Sequence, residues 1–359
     1  MPNTQDIQVG LVGFGLAGRV FHAPMIRALP GLMLAAILER RGDEAQRRYP
    51  DVRVVRSLDE MLAIESIRLI VVATPNTSHY DIAAQCLQAG RHVVVDKPFA
   101  TTYLEAAELA RIARQSQRLL TVFQNRRWDG DFRTIGKLVS KHTLGRIVLF
   151  ESHFERFRPH LRPGAWREST DPGSGILFDL GPHLIDQALV LFGPPLALTA
   201  DVRTEREGAA ADDAFDVVLH YPHHRAVLRS SMLACDPGPR FTVYGAEGSY
   251  VKYGLDPQED ALVRGETPRD NSWGLEPEER WGTLTLSRDG AITRARIATQ
   301  AGDYRRYYEN VRDAIVSGTP LDVTPEQALT VMRLLELARQ SSQEGRTLDF
   351  KPIAEDSGS

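Results

Sequence analysis

Gly13-Phe14-Gly15-Leu16-Ala17-Gly18 spaces three glycines as a pyrophosphate-binding turn requires. The run follows an apolar strand and opens a helix, and Glu39 comes about 20 residues after Gly18, where an acid would meet the adenosine ribose. Gly13 permits the tight turn, Gly15 lets backbone amides approach the anion, and Gly18 lets the helix pack closely with its N-terminus toward the negative charge. The choice of dinucleotide turns on Ile37-Leu38-Glu39-Arg40-Arg41. Glu39 suits the ribose hydroxyls and repels a 2′-phosphate, favouring NAD, whereas Arg40 and Arg41 suit that phosphate and favour NADP. The place of Glu39 at the strand end tips the reading toward NAD. Three more polar segments stand where strands end, the position at which open α/β sheets bind ligands: Thr74-Pro75-Asn76-Thr77-Ser78-His79, Asp96-Lys97-Pro98 and Asn125-Arg126-Arg127-Trp128-Asp129. Further on, Asp179 and His183 are four residues apart, on one face of a helix if that stretch is helical.

These residues need a scaffold, and the first third of the chain supplies one. Short β-rich runs at 7–12, 32–38, 67–73, 91–95 and 119–123 alternate with helix-compatible stretches, the pattern of a parallel sheet with crossover helices. Thr101 to Gln117 carries apolar positions at helical spacing. Past Asn125 the grammar changes. A helix at 132–140 precedes longer, partly alternating runs such as 147–158 and 215–221. Tyr221-Pro222-His223-His224-Arg225 reads as a hairpin tip and Gly245-Ala246-Glu247-Gly248 as a turn. Helices are expected at 304–316, stopped by Gly318, and at 325–343. Thr324, Pro325 and Gln327 give the second of these a capping-box start. Residues 254–282 read as an extended surface loop. The fold class is therefore α/β: a doubly wound Rossmann domain over 1–123, then an α+β domain with a mostly antiparallel open sheet over 124–354, and a tail at 355–359.

Composition narrows the functional classes. The chain has 359 residues, which at about 150 per domain suggests two domains. A net charge of −4 argues against a dedicated nucleic-acid binder. No apolar run approaches the roughly 20 residues of a membrane-spanning helix. No membrane association is expected, and a cytoplasmic location follows by default. Cys86 and Cys235 form no metal-knuckle spacing and read as two buried thiols. His223-His224 lacks further ligands nearby and reads as solvated, so no metal is expected.

The glycine loop, the Thr74-Pro75-Asn76…His79 segment, Asp96-Lys97-Pro98 (the family usually has Glu-Lys-Pro) and Asp179…His183 resemble the Gfo/Idh/MocA oxidoreductase family, in its order and over nearly the whole chain. Within it the sequence is most similar to the bacterial scyllo-inositol dehydrogenases, through Gly18-Arg19-Val20-Phe21-His22-Ala23-Pro24, the 125–129 segment, Arg156-Phe157-Arg158-Pro159, Trp166-Arg167-Glu168 and the run from Asp179 to Gln187.

The resemblance implies hydride exchange between a polyol or sugar carbon and the nicotinamide of NAD or NADP. In that reading His183 is the general acid or base, Lys97 stabilises the developing alkoxide, and Asp179 holds a substrate hydroxyl or positions the other two. The cofactor would be held by residues 13–18, Glu39, Arg40, Thr74, Pro75, Asn76, His79, Asp96, Lys97 and Arg167. Asn125 and Glu155 would join Lys97, Asp179 and His183 around the substrate. Trp166 suits core or pocket wall equally, and His22 suits pocket contact, capping or packing. A homodimer or homotetramer is implied as well. An aldose or keto-sugar substrate keeps the same chemistry. A non-catalytic dinucleotide sensor would be favoured by loss of Lys97 or His183, and both are present.

Overall fold

Ile7–Val12 (β1) and Ile67–Val72 (β4) are almost unbroken apolar runs, and strands of that kind need cover on both faces. They pair in parallel at the centre of a six-stranded sheet. Leu32–Leu38 (β2) and Arg53–Val55 (β3) extend it on one side, His92–Val95 (β5) and Leu120–Val122 (β6) on the other, giving the order β3-β2-β1-β4-β5-β6. The strand order reverses between β1 and β4, and the crevice there, at the carboxyl ends of the strands, is where such sheets bind dinucleotides. The expected parallel sheet is present, with β3 as a strand not anticipated from sequence. The computed structural model describes residues 6–162, 168–269 and 272–351.

The chain divides into two compact units that are not contiguous in sequence. The first comprises Met1–Asp129, Pro257–Gly274 and Ala301–Leu329, and the second Gly130–Asp256, Leu275–Gln300 and Thr330–Ser359. In the first unit, helix α1 (Ala23–Ala28) is entered through a π-helical turn over Ala17–His22. α2 (Glu44–Arg48), α3 (Leu58–Leu62), α4 (His79–Gln88) and α5 (Tyr103–Gln115) link the remaining strands. Thr102 and Glu105 close a capping box at the start of α5.

In the second unit, α6 (Gly130–Ser140) leads to β7 (Ile147–His153), α7 (Ile176–Phe192), β8 (Ala197–Arg203), β9 (Ala214–His220), β10 (Arg225–Ser231), β11 (Phe241–Gly245), β12 (Gly248–Lys252), β13 (Gly282–Arg288), β14 (Ala291–Ile297) and the short β15 (Leu348–Asp349). These strands form a nine-stranded sheet in the order β14-β13-β12-β11-β7-β10-β9-β8-β15. All neighbours are antiparallel except β7 and β10. The hairpin at 221–224 pairs His220 with Arg225, as its turn residues require. Alternation along β10 buries Ala226, Leu228 and Ser230 and turns the residues between them outward, so one face of the sheet is core. α7 packs on that face and is buried nearly all round.

Three expectations need correction. Residues 254–282 are not an extended surface loop: they include α8 (Gln258–Val263), and Gln258 is buried, accepting hydrogen bonds from Trp273 Nε1 and the Tyr304 backbone N–H. A stretch rich in Pro, Gly and acids concealed one amide that ties three segments together. Only Cys86 is buried, its thiol pushed up to about 12 by burial, while Cys235 is exposed. His224 is half-buried and stacks on Tyr221 with centroids 4.4 Å apart, so only His223 of that pair is the solvated residue expected. Among the described residues no helix is long and apolar enough to cross a membrane.

α9 (Arg305–Ser317) ends on Gly318 in the left-handed conformation, and in α10 (Pro325–Glu344) the Thr324 hydroxyl accepts from Gln327 N while Gln327 Oε1 accepts from Thr324 N. α9 belongs to the first unit, where Tyr307 packs edge-on against Phe123.

Candidate active site

In the first unit the glycine loop has the form its spacing predicts. Gly13 has φ +100°, and a Cβ there would lie 2.6 Å from the Ala73 carbonyl oxygen. A Cβ on Gly18 would lie 2.1 Å from the Gly13 carbonyl oxygen, so the helix can approach the turn only without a side chain. A Cβ on Gly15 would meet nothing within 4 Å, which leaves a cradle of backbone open to an anion at a helix start. Leu16 is exposed on the loop, and Phe14 packs edge-on against Tyr49. The loop therefore fits a dinucleotide. Gly18→Ala is expected to weaken dinucleotide binding about 10- to 100-fold, read by quenching of intrinsic fluorescence, because the clash is with backbone.

Glu39 lies at the end of β2 as expected, but its carboxylate is engaged at home. Oε2 accepts from Ala45 N at 3.2 Å, and Arg56 donates to the Glu39 and Gly42 carbonyls. Arg40 and Arg41 are exposed beyond it.

The segments after β4, β5 and β6 lie at the same edge of the sheet. The Ser78 hydroxyl donates to the Pro75 carbonyl and lies 2.8 Å from Thr74 Oγ1, closing the turn that carries the buried Asn76. His79 is buried with Nδ1 2.9 Å from the Pro98 carbonyl and Nε2 2.9 Å from the Thr74 carbonyl. Both ring nitrogens thus face protein backbone, and the residue joins the two loops instead of presenting itself to a ligand. Asp96 Oδ1 accepts from Lys97 N at 2.8 Å, and the peptide between Lys97 and Pro98 is cis.

Asn125, 5% exposed, opens a short 3-10 turn after β6. Its neighbour Arg126 is structural: buried, it pairs with Asp129 and Glu259, while Asp129 accepts from the Tyr304 hydroxyl. The Asn125-to-Asp129 motif therefore also anchors the returning segments 257–274 and 301–329.

In the second unit Asp179 and His183 are one turn apart on α7, the helical spacing read from sequence. His183 is 4% exposed. The Asp179 side chain is mostly buried, with Arg156 Nη1 4.0 Å from Oδ2. Arg156 had drawn no site role from sequence, although it lay in a motif that carried the family resemblance. The start of α7 is fixed by Asp212: its carbonyl accepts from Ile176 N, and its carboxylate accepts from Leu177 N at 2.8 Å. Burial raises the Asp212 carboxyl above the usual range, against the Leu177 bond and the nearby Arg339 guanidinium. A Cβ on Gly175 would lie 2.1 Å from Asp212 Oδ1, so that glycine leaves room for the carboxylate. Glu155 Oε2 accepts from Gly238 N at 3.2 Å. Arg167 and Trp166 lie outside the described residues. Among the described residues no group of three or more His, Cys, Asp or Glu side chains is arranged to hold a metal ion.

Residues 7–124 match the Gfo/Idh/MocA model described as an oxidoreductase family NAD-binding Rossmann fold, and residues 137–350 match that of the family's C-terminal alpha/beta domain. The chain is 43% identical to the uncharacterized oxidoreductase YdgJ of Escherichia coli, over 96% of this chain and 99% of that protein. It is 40% identical to the scyllo-inositol 2-dehydrogenase (NADP(+)) IolW of Bacillus subtilis, over 95% of each. The structure of the oxidoreductase yvaA from Bacillus subtilis, at 40% identity, superposes with a TM-score of 0.94 and covers 97% of this chain and 100% of that one.

Proposed function

The chain belongs to the Gfo/Idh/MocA oxidoreductase family, and from that premise we propose that it transfers a hydride between a cyclic polyol and a nicotinamide dinucleotide, with scyllo-inositol and its ketone as the substrate pair. One observation carries the reading: Lys97, Asp179 and His183 all stand in a chain that aligns almost end to end with a scyllo-inositol dehydrogenase.

Bound NAD(P) supplies the hydride acceptor at C4 of its ring. The chain's own residues do the rest. Residues 13–18 would hold the pyrophosphate, and the Thr74-Pro75-Asn76 and Asp96-Lys97 loops would hold the rest of the dinucleotide. His183 takes the hydroxyl proton at a ring nitrogen as the carbon gives up its hydride. Lys97 Nζ donates to the same oxygen and stabilises its alkoxide character, and Asp179 accepts from a neighbouring hydroxyl. Asn125 and Glu155 read further hydroxyls. Reduction of the ketone runs the same steps backward.

NADP is the better-supported dinucleotide, against the preference for NAD drawn from the strand end. One oxygen of the Glu39 carboxylate accepts from Ala45 N, and Arg40 and Arg41 stand exposed beyond it, suited to a 2′-phosphate. The IolW relative is named for NADP(+).

Oxidation of scyllo-inositol, myo-inositol and aldoses with each dinucleotide tests the proposal. Turnover of scyllo-inositol with NADP is expected, and Arg40→Ala is expected to raise KM for NADP about tenfold while sparing NAD, the loss of one charge-assisted contact. Turnover of aldoses alone would move the substrate to that class, and tight dinucleotide binding with no turnover would favour a sensor. Association into a dimer or tetramer belongs to the same proposal, and a single monomeric peak in light scattering would oppose it.

A further inference from the structure

The helix after the glycine loop does not begin as an α-helix. Over Ala17–His22 it is a π-helical turn, in which Ala23 N–H bonds to the Gly18 carbonyl. Such turns are rare and gather at functional sites. This one ends on His22, whose side chain is fully buried. His22 Nδ1 lies 2.6 Å from the Tyr308 hydroxyl, and Nε2 stands 3.8 Å from Asp96 Oδ1. The ring lies against Phe123 at 4.4 Å between centroids. The same Asp96 oxygen accepts the Lys97 backbone N–H.

The structure assigns His22 and Tyr308 a positioning role: the buried, hydrogen-bonded Tyr308–His22 pair packs beside Asp96 and fixes the root of the Lys97 side chain. The assignment rests on the proposed role of Lys97. With the Tyr308 hydroxyl as donor to Nδ1, the ring proton sits on Nε2, which faces the Asp96 carboxylate from 3.8 Å, beyond hydrogen-bond distance. Asp96 Oδ1 thus has the imidazole edge packed on one side and the peptide N–H of the residue it must orient bonded on the other. On the far side of the loop, His79 holds the Pro98 carbonyl. Burial works to raise the Asp96 carboxyl, but His22, Lys97 and His79 outweigh it and hold the group below the usual carboxylate range. The carboxylate is one methylene shorter than the glutamate usual in the family, and the inward turn of His22 places an imidazole beside it. The hydroxyl comes from a residue 286 positions further along the chain, so the relation is invisible to local sequence patterns.

Tyr308→Phe keeps the ring and removes only the hydroxyl, so it should fold. A fall in kcat of about tenfold is expected, with KM and Kd for the dinucleotide within about twofold of wild type, as loss of orientation predicts. His22→Asn should lose more, and Tyr308→Phe/His22→Asn should lose no more than His22→Asn alone. A second readout is independent of turnover. The chain has only five lysines, so reductive 13C-methylation gives few NMR signals, and the one from Lys97 is identified by Lys97→Arg. In folded Tyr308→Phe the Lys97 signal should move while the exposed lysines stay in place. An unmoved Lys97 signal in the folded variant, or additive kinetic losses, would overturn the positioning role. If wild-type protein oxidises no polyol, the hydride-transfer reading fails by itself, and the Lys97 signal still decides this one.

Discussion

Lys97→Ala is expected to lower kcat/KM for the polyol about a thousandfold, the scale of removing one fixed donor from a developing oxyanion. His183→Ala should cost between about a hundredfold and ten thousandfold, the range for a general acid or base. In the proposed mechanism the two serve one oxygen at the same moment of the reaction, so their losses should not multiply. The double variant is expected to lie near the slower single one, because residues that work as a unit are strongly non-additive. Dinucleotide affinity is the internal control. The glycine cradle is built by Gly13, Gly15 and Gly18 from backbone alone, and neither Lys97 nor His183 is part of it. Dissociation constants for NADP within a few-fold of wild type are therefore expected, measured by fluorescence titration beside steady-state rates. Full activity in either variant would sink the assignment of these residues. A rate loss matched by an equal loss of dinucleotide affinity would move Lys97 from chemistry to cofactor binding.

The parts of this reading that were legible in sequence share a physical property: they depend on local spacing. The glycine loop needs positions without Cβ at fixed offsets, and a Cβ at Gly18 would indeed strike the Gly13 carbonyl. β1, β2 and β4 announce themselves because strands covered on both faces must be apolar throughout. The start of α10 follows from Thr324 and Gln327, whose reciprocal bonds complete within four residues. β3 escaped notice because three residues, one of them an exposed arginine, carry no period. Residues 254–282 were misread for the opposite reason. Their composition is that of a loop, and only tertiary partners reveal that Gln258, Trp273 and Glu276 are buried. The site shows the same divide. Asp179 and His183 are separated by one helical turn, which sequence can see. Tyr308 beside His22 and Asp212 beneath α7 are long-range partners that it cannot. His79 illustrates a third case, in which the motif residue is visible in sequence but its ring contacts are not, since both nitrogens face carbonyls of its own loops.

The largest stability loss is expected in the second unit, at Lys252. Its side chain and that of Glu276 are each 0% exposed, with Nζ 3.2 Å from Oε1 and 2.7 Å from the Tyr253 carbonyl. Arg280 stands further off, 3.6 Å from the same carboxylate. Glu276 Oε2 has no hydrogen-bond partner among the described residues. A buried pair of this kind adds little net stability over an apolar pair, because desolvation offsets most of the attraction, yet removing one partner strands the other charge. Lys252→Met should therefore destabilise the protein by about 3–5 kcal/mol, toward the lower end because Arg280 remains. The distinguishing measurement is the second substitution. Lys252→Met/Glu276→Gln carries no stranded charge and should recover a good part of the loss in urea midpoint, even though it removes one more polar contact. If the double variant were less stable than Lys252→Met, the cost would lie in packing around β12 and not in the abandoned carboxylate. Recovery would instead show that this pair matters through the penalty on breaking it, which fixes β12 and the segment at Glu276 in one arrangement.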